Sequence, residues 1–273
     1  MPLISIAGVV AKKFDFLDLE SLAKVEFFKN NNLRDVVTTL DSELHEILSE
    51  FCAECFPDTL LLSEEGADQE KVWKQLVEVP SVMVVDPVDG SNNLVCGLRD
   101  FGFMVCLLRN AKFVESLIIL PNENQVLSWS ENSGLLMSKK LPRNVKPSAS
   151  AYLAYKPQLA DNFVEVRSEI VNLLELVSSG VYRYGSACVG LFRTLIGGHS
   201  TFIGLEMRPW DVIPFFPILH SSGAALAYSA SESEISVLIS YSSEIFAKSR
   251  EILSNKIGDF LDFNAGDALK VTR

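Results

Sequence analysis

The chain has 273 residues, 48% of them hydrophobic, and a formal charge of −11 at neutral pH from 24 Lys and Arg against 35 Asp and Glu. That length can bury a substantial core in one large domain or two small ones, and the acidic balance argues against a protein whose affinity comes from neutralising a nucleic-acid backbone. No apolar run reaches the roughly 18 residues that a membrane span requires, Met1–Val10 shows no basic leader, and five cysteines make no disulfide framework, which together predict a cytoplasmic protein with neither a membrane nor a nucleic-acid partner.

In chain order, Asp18 to Lys29 carry apolar residues at helical spacing and predict a helix, broken by Asn30-Asn31-Asn32. Arg34 to Asp41 reads as a short extended run feeding a helix over Leu44–Cys55, and Asp41 lies near that helix start, where a carboxylate ordinarily caps. Cys52 and Cys55 form a lone Cys-x-x-Cys. Both fall on the apolar stripe Leu44, Ile47, Leu48, Phe51, Cys52 and Cys55, and no second pair completes a metal shell, so helix core is expected.

Thr59–Ser63 and Val82–Val85 are strand-like runs that end in acid, the first in Glu64-Glu65-Gly66 and the second in Asp86-Pro87-Val88-Asp89-Gly90-Ser91. Pro87 is expected to stop the ladder, Gly90 to allow a tight turn, and a helix to start near Ser91 with free N–H groups facing an anion. Paired carboxylates beside such a site repel a phosphate unless a cation lies between them, which reads as divalent metal plus phosphate. The simpler alternative is an acidic surface turn. Asp41, by the same local reading, is a cap.

Three β-rich runs, Phe101–Leu108, Phe113–Leu120 and Val126–Trp129, predict an antiparallel meander, and residues 138 to 150 a crossover between subdomains. Beyond it, strands near Ala151–Tyr155, Gly180–Tyr184 and Thr201–Ile203 alternate with helices over Asp161–Leu176, Ser186–Ile196 and Trp210–Ser222, which predicts an α/β second half. Ser243 to Phe263 predicts a terminal helix. His45, His199 and His220 are scattered, and none pairs in sequence with a Ser or Cys nucleophile.

With Pro209-Trp210-Asp211 added, these segments resemble the inositol monophosphatase family of magnesium-dependent, lithium-sensitive phosphatases. Asp35-Val36-Val37-Thr38-Thr39-Leu40-Asp41 is similar to its D-x-V-T-x-x-D segment, and Glu64-Glu65 to its paired glutamates. Asp86-Pro87-Val88-Asp89-Gly90-Ser91 resembles its D-P-x-D-G-[ST] signature, Gly185-Ser186-Ala187 its substrate loop, and Trp210-Asp211 its W-D signature. The resemblance implies an α/β (α+β) layered αβαβα sandwich of the inositol monophosphatase and fructose-1,6-bisphosphatase type. In it, residues 1–142 form an α+β subdomain carrying most metal ligands, and residues 143–273 form an α/β subdomain completing the site.

The same resemblance implies that Glu64, Asp86, Asp89, Asp211 and the Val88 carbonyl ligate Mg²⁺, with two or three ions per site. Asp41, Ser91 and Glu65 are implied as catalytic, with Ser91 and Asp41 orienting the attacking water. Val88, Asp89, Gly90, Ser91, Gly185, Ser186, Ala187, Glu206 and Asp211 are expected on the substrate side. No phosphoenzyme is needed, and a homodimer is expected. A Glu common seven residues before the W-D aspartate is Gly204 here, the nearest acid being Glu206. The expected substrate is a small phosphomonoester, inositol monophosphate or a related sugar phosphate. The alternatives are 3′-phosphoadenosine 5′-phosphate, fructose 1,6-bisphosphate or histidinol phosphate on the same core, or a non-catalytic regulatory binding protein.

Overall fold

The computed structural model describes residues 2–14, 21, 23–29, 36–67, 69–76, 78–139, 150–155, 161–264 and 266–271. Helix α1 (Ala7–Lys13) precedes an antiparallel pair, β1 (Val25–Phe28) with β2 (Val36–Thr38), and then helix α2 (Thr39–Cys55). There follow β3 (Leu60–Ser63), α3 (Gln69–Gln75), β4 (Ser81–Asp89) and α4 (Ser91–Val95). The meander is β5 (Gly102–Arg109), β6 (Lys112–Leu120), β7 (Gln125–Ser130) and β8 (Gly134–Met137). Strands β3 to β8 form one six-stranded sheet in sequence order, parallel at β3–β4 and antiparallel elsewhere.

The rest of the chain makes a second sheet. It contributes β9 (Ser150–Tyr155), α5 (Asp161–Val177), β10 (Val181–Tyr182), α6 (Ala187–Leu195), β11 (His199–Met207), α7 (Pro209–Val212) and α8 (Phe216–Ser221). Then come β12 (Ala225–Ala230), β13 (Ile235–Ser240), α9 (Ser243–Ile257) and β14 (Leu261–Asp262). The six strands are ordered β10-β9-β11-β13-β12-β14, the first three mutually parallel and the others antiparallel.

Period-two alternation divides the interior into three cores, because successive strand residues face opposite sides of a sheet. On β4 and β5, Met83, Val85, Phe103, Val105 and Leu107 pack outward with α1 and α2, while Val82, Val84, Met104, Cys106 and Leu108 pack inward. That inner layer is filled by α6, α7 and α8 and is closed from the other side by Leu226, Tyr228, Val237 and Ile239. The far face of the second sheet, with Leu153, Ile203, Leu205 and Leu238, takes Val166, Ile170 and Leu174 of α5 and Ile245 and Leu253 of α9. The result is the expected αβαβα sandwich, with the middle helical layer shared by both sheets.

Several local expectations differ from the structure. Residues 25–28 are a strand, so the helix expected over Asp18 to Lys29 does not extend through them, and residues 15–20 and 22 lie outside the described residues. Cross-strand pairing of Phe27 with Val37 and Phe28 with Val36 overrides the weak helical spacing. Pro87 does not end β4; the ladder runs on to Asp89 through a register shift between Asp86 and Asp89, the kind of irregularity that tolerates a missing donor. The helix expected over Trp210–Ser222 is divided, with a short 3-10 turn over Ile213–Phe215, because Pro214 and Pro217 each remove a backbone donor. The terminal helix stops at Gly258 rather than Phe263, and β8, β12, β13 and β14 have no counterpart among the expected elements. Residues 140–149 of the expected crossover lie outside the described residues.

Helix α6 packs directly on Tyr152. A Cβ placed on Gly190 meets three carbons of the Tyr152 ring at 2.6, 2.7 and 2.8 Å. Gly190→Ala is expected to cost roughly 1–3 kcal/mol as overpacking, read as a lower urea midpoint with unchanged slope; an unchanged midpoint would show that α6 can retreat from the ring.

Candidate active site

The carboxylates expected at strand ends do converge. Strand β3 ends beside Glu64 and Glu65, and its partner β4 carries Asp86 and Asp89 at its C-terminal end. Asp211 arrives from the second half of the chain on α7, whose first turn it occupies with its carboxylate accepting from the Arg208 N–H at 3.2 Å. One oxygen from each of Glu64, Asp86 and Asp211 lies within 4.8 Å of the others. Both oxygens of Asp86 are buried, and among the described residues no group donates to them. Burial first, and then the fields of Glu64, Asp89 and Asp211, hold the Asp86 carboxyl well above the ordinary carboxylate range. Burial and the fields of Glu64 and Asp89 raise Asp211 likewise. Three carboxylate oxygens, one of them from a buried carboxylate that lacks donors, form an arrangement that a hard divalent cation satisfies.

Asp89 has a different setting. Its carboxylate accepts from the Ser186 hydroxyl, from the Ala187 N–H at 3.1 Å and from the Cys188 N–H at 2.7 Å, so it faces the positive end of α6. Burial lifts it to about 6 against the pull of these three donors. This contact ties β4 to the second sheet's layer and occupies the Ser186 hydroxyl and the Ala187 amide, which the sequence had suggested for substrate.

Asp41 and Ser91 meet across two elements. The Ser91 hydroxyl lies 2.8 Å from Asp41 Oδ1 and 2.8 Å from the Val88 carbonyl, donating toward both. The other Asp41 oxygen accepts from the Thr38 N–H at 2.8 Å and the Thr38 hydroxyl, completing a capping box at the start of α2. The cap itself is Thr38, so Asp41, expected there, is instead its capping-box partner inside the first turn, and it is also the partner of Ser91. Burial, the largest influence, pushes it up to about 6 despite Thr38. The turn from β4 into α4 is made by Gly90 at φ 95°, where a Cβ would stand 2.7 Å from the Asp100 carbonyl oxygen.

Glu64, Asp86, Asp89, Gly90, Ser91 and Asp211 line a cavity of about 340 Å³ that also includes Asn93, Tyr152, Tyr155, Arg183, Gly185, Glu206 and Arg208, and Asp41 joins it through Ser91. Glu206 is buried, sits at φ 50° and falls within the register shift between Gly204 and Met207 on β11. The irregularity places it among the lining residues although it is two positions after the Gly that replaces the family's usual Glu.

The profile of the inositol monophosphatase family matches residues 4–258. The chain belongs to the inositol monophosphatase family. A fructose-1,6-bisphosphatase/inositol-1-monophosphatase of Thermotoga maritima is 22% identical over 197 residues, covering 71% of this chain and 72% of that protein. A putative Nus factor SuhB of Neisseria meningitidis is 19% identical over 265 residues, covering 93% of this chain and 98% of the relative. The crystal structure of an IMPase/NADP phosphatase complexed with Mg²⁺ and phosphate superposes with TM-score 0.73 at 16% identity, over 96% of this chain and 98% of that one. The inositol monophosphatase fold is therefore present over nearly the whole chain, with an acidic cluster able to hold a metal. Among the described residues no helix is long and apolar enough to cross a membrane.

Residues absent from the sequence reading also shape this family site. Lys29 reaches Glu64 at 2.9 Å and Glu65 at 2.8 Å. Burial works against its charge, but the two glutamates outweigh burial and hold the ammonium above its ordinary value. Glu65, raised to about 7 by burial and by Glu64, is engaged by this lysine. No spacing in the sequence marks Lys29, because its contact depends on the β1–β2 pair. Asn93 donates to the Tyr184 carbonyl at 2.7 Å, while the Tyr152 hydroxyl donates to the Ser186 carbonyl at 2.8 Å and accepts from the Tyr184 N–H at 3.1 Å. The loop carrying Gly185-Ser186-Ala187 is therefore gripped from both halves of the chain.

The raised carboxyls predict a pH slope. Asp41 and Asp89 stand near 6 and Glu65 near 7, against ordinary values of 3.8 and 4.5. Each binds its proton more tightly folded than unfolded, so it adds stability at low pH that is lost as pH rises through the folded value. Urea midpoints measured in chelator are expected to fall between about pH 5 and about pH 7.5, and saturating Mg²⁺, which takes the ionised forms, to offset the fall. A midpoint that climbs across this interval in chelator would contradict the buried like-charge cluster.

Proposed function

We propose that the protein hydrolyses a small phosphomonoester, inositol monophosphate or a related sugar phosphate, by attack of water and without a phosphoenzyme. The observation that carries this reading is the trio Glu64, Asp86 and Asp211 within 4.8 Å, in one cavity with Ser91, whose hydroxyl leads to Asp41. Glu64, Asp86, Asp211 and the Val88 carbonyl would hold Mg²⁺, with Asp89 beside them for a second or third ion. A divalent cation at this position neutralises phosphoryl charge and acidifies a nearby water. Ser91, its proton directed toward Asp41, keeps lone pairs with which to accept from the attacking water, and Asp41, lifted toward neutrality, is suited to take up that proton. Lys29 fixes Glu64 and Glu65, and the Gly90 and Ser91 amides and Glu206 face the substrate. Residues 1–142 and 143–273 act as two subdomains that complete the site together.

Phosphate release from a panel of phosphomonoesters, with and without Mg²⁺, tests the reading. Release that requires Mg²⁺ is expected, with inhibition by millimolar Li⁺ as the family assignment suggests. No release from any ester would favour the non-catalytic regulatory reading, which the relative named as a putative Nus factor raises. We further propose a cytoplasmic homodimer; exposed Val95, Leu98 and Tyr182 supply apolar surface for it. Light scattering at monomer mass would remove the dimer.

A further inference from the structure

We infer that the mouth of the cavity is a second anion subsite centred on Arg183, which selects phosphomonoesters bearing another anionic group, a carboxylate or a phosphate, remote from the ester that is cleaved. This rests on the phosphatase reading above and names the substrate class that the site prefers. Arg183 lies in the loop between β10 and Gly185 and lines the same cavity as Asp86, Asp89 and Asp211. Its guanidinium is fixed before any ligand arrives. Nη2 donates to the Tyr155 carbonyl at 2.7 Å, and the guanidinium carbon stands 3.8 Å from the centroid of the Tyr155 ring. Arg167 lies 5.2 Å from the same centroid, adding a second guanidinium against that ring. A planar group held by stacking and one hydrogen bond loses little freedom on binding an anion, and its remaining N–H donors form a fork suited to a carboxylate or phosphate.

The charge distribution separates this residue from the arginines that carboxylates neutralise. Arg193 and Arg250 are paired with Glu123 at 2.7 Å and Asp262 at 2.5 Å. Among the described residues Arg183 has no such carboxylate partner, although the chain carries a net charge of −11. Of the acids lining the cavity, Glu64, Asp86 and Asp211 gather within 4.8 Å of one another, Asp89 accepts from Ser186, Ala187 and Cys188, and Glu206 is buried with an interaction of its own. Arg208 adds a second guanidinium to the lining, with Nη1 on the Ser233 carbonyl at 3.3 Å. A cavity lined both by clustered, largely buried acids suited to a cation and by an exposed, pre-oriented guanidinium matches a ligand that carries anionic groups at two positions. A neutral sugar alcohol leaves the Arg183 charge unanswered.

Two matched pairs test this in the presence of Mg²⁺: glycerol 3-phosphate against 3-phosphoglycerate, and fructose 6-phosphate against fructose 1,6-bisphosphate. The wild-type protein is expected to favour the more anionic member in kcat/KM by at least about tenfold in one pair or both. Preference in the first pair assigns a carboxylate, and in the second a phosphate. Arg183→Gln is expected to bring that ratio to within about twofold of unity, while Arg183→Lys keeps an intermediate ratio because charge remains and the fork is lost. Equal rates within both wild-type pairs, or a preference that survives Arg183→Gln, would overturn the inference. The wild-type comparison stands even if the Gln variant does not fold. Hydrolysis of none of the four esters counts against the phosphatase reading instead; calorimetric binding of the same esters with Mg²⁺ then reads the charge preference separately, and equal affinities within both pairs would overturn the subsite as well.

Discussion

Asp86→Asn is expected to reduce Mg²⁺-dependent turnover by about a thousandfold or more while making the metal-free protein more stable. Charge stabilisation by a bound cation accounts for several kcal/mol of transition-state energy, and each ~1.4 kcal/mol is a factor of ten in rate. Asp86 lies within 4.8 Å of both Glu64 and Asp211 and has two buried oxygens that accept from no described group, so removing its charge removes the most deeply buried member of the acidic trio. Without metal that same charge is a liability, since burial and three neighbouring carboxylates all oppose its ionisation. An amide there relieves the repulsion and can donate to Glu64 or Asp211, for a gain of about 1–2 kcal/mol in chelator. Wild-type protein should also gain stability with rising Mg²⁺, about 2.7 kcal/mol at a hundredfold excess over Kd, and the variant should not. Thermal shifts with and without Mg²⁺, measured beside turnover, separate the two effects. A variant that keeps its Mg²⁺-dependent rate would remove Asp86 from the metal centre.

The acidic half of this site was legible because local chain chemistry produces it. An apolar run that stops in acid is a strand delivering carboxylates to its end, and β3 and β4 lie parallel, so their acids emerge on the same edge. Glycine at position 90 marks a turn that no side-chain-bearing residue makes easily. Asp41 was legible only in part: its neighbours identify a cap, and the capping box is present, but the contact with Ser91 spans fifty positions and belongs to tertiary packing. Lys29, Tyr152 and Arg183 were not legible for the same reason. Each acts through a backbone carbonyl or carboxylate that the fold brings near, and no spacing in the chain records that approach. The short strands β12 and β13 were hidden differently, as apolar runs too brief for a single sequence to separate from helix or loop. Glu206 shows a third limit, because its place in the cavity follows from a register irregularity that shifts the facing of β11.

Ser91→Ala is expected to lower kcat by about a hundredfold or more with little change in KM, the pattern of an interaction expressed mainly in the transition state. The competing role for this serine is a helix cap, which would make the same substitution a stability defect of about 1 kcal/mol with normal turnover. The geometry distinguishes them. The N-cap of α4 is Gly90 with no side-chain cap, and the Ser91 hydroxyl is directed away from the helix amides toward Asp41 and the Val88 carbonyl. Its donor is thus engaged, and its lone pairs are left to accept from water. Removing it frees Asp41 Oδ1 from one of its donors, at a stability cost of about 1 kcal/mol, and breaks the only hydroxyl link between the cavity and that carboxylate among the described residues. Ser91→Thr keeps the hydroxyl and should leave kcat close to wild type. Asp41→Asn should lower kcat to a similar degree as Ser91→Ala, and the double variant should be little worse than either alone, because residues that act as one unit lose their effect together. Fully additive losses would mean that Ser91 and Asp41 work independently, and normal kcat in Ser91→Ala with a lowered unfolding midpoint would leave the serine a purely structural part of the turn.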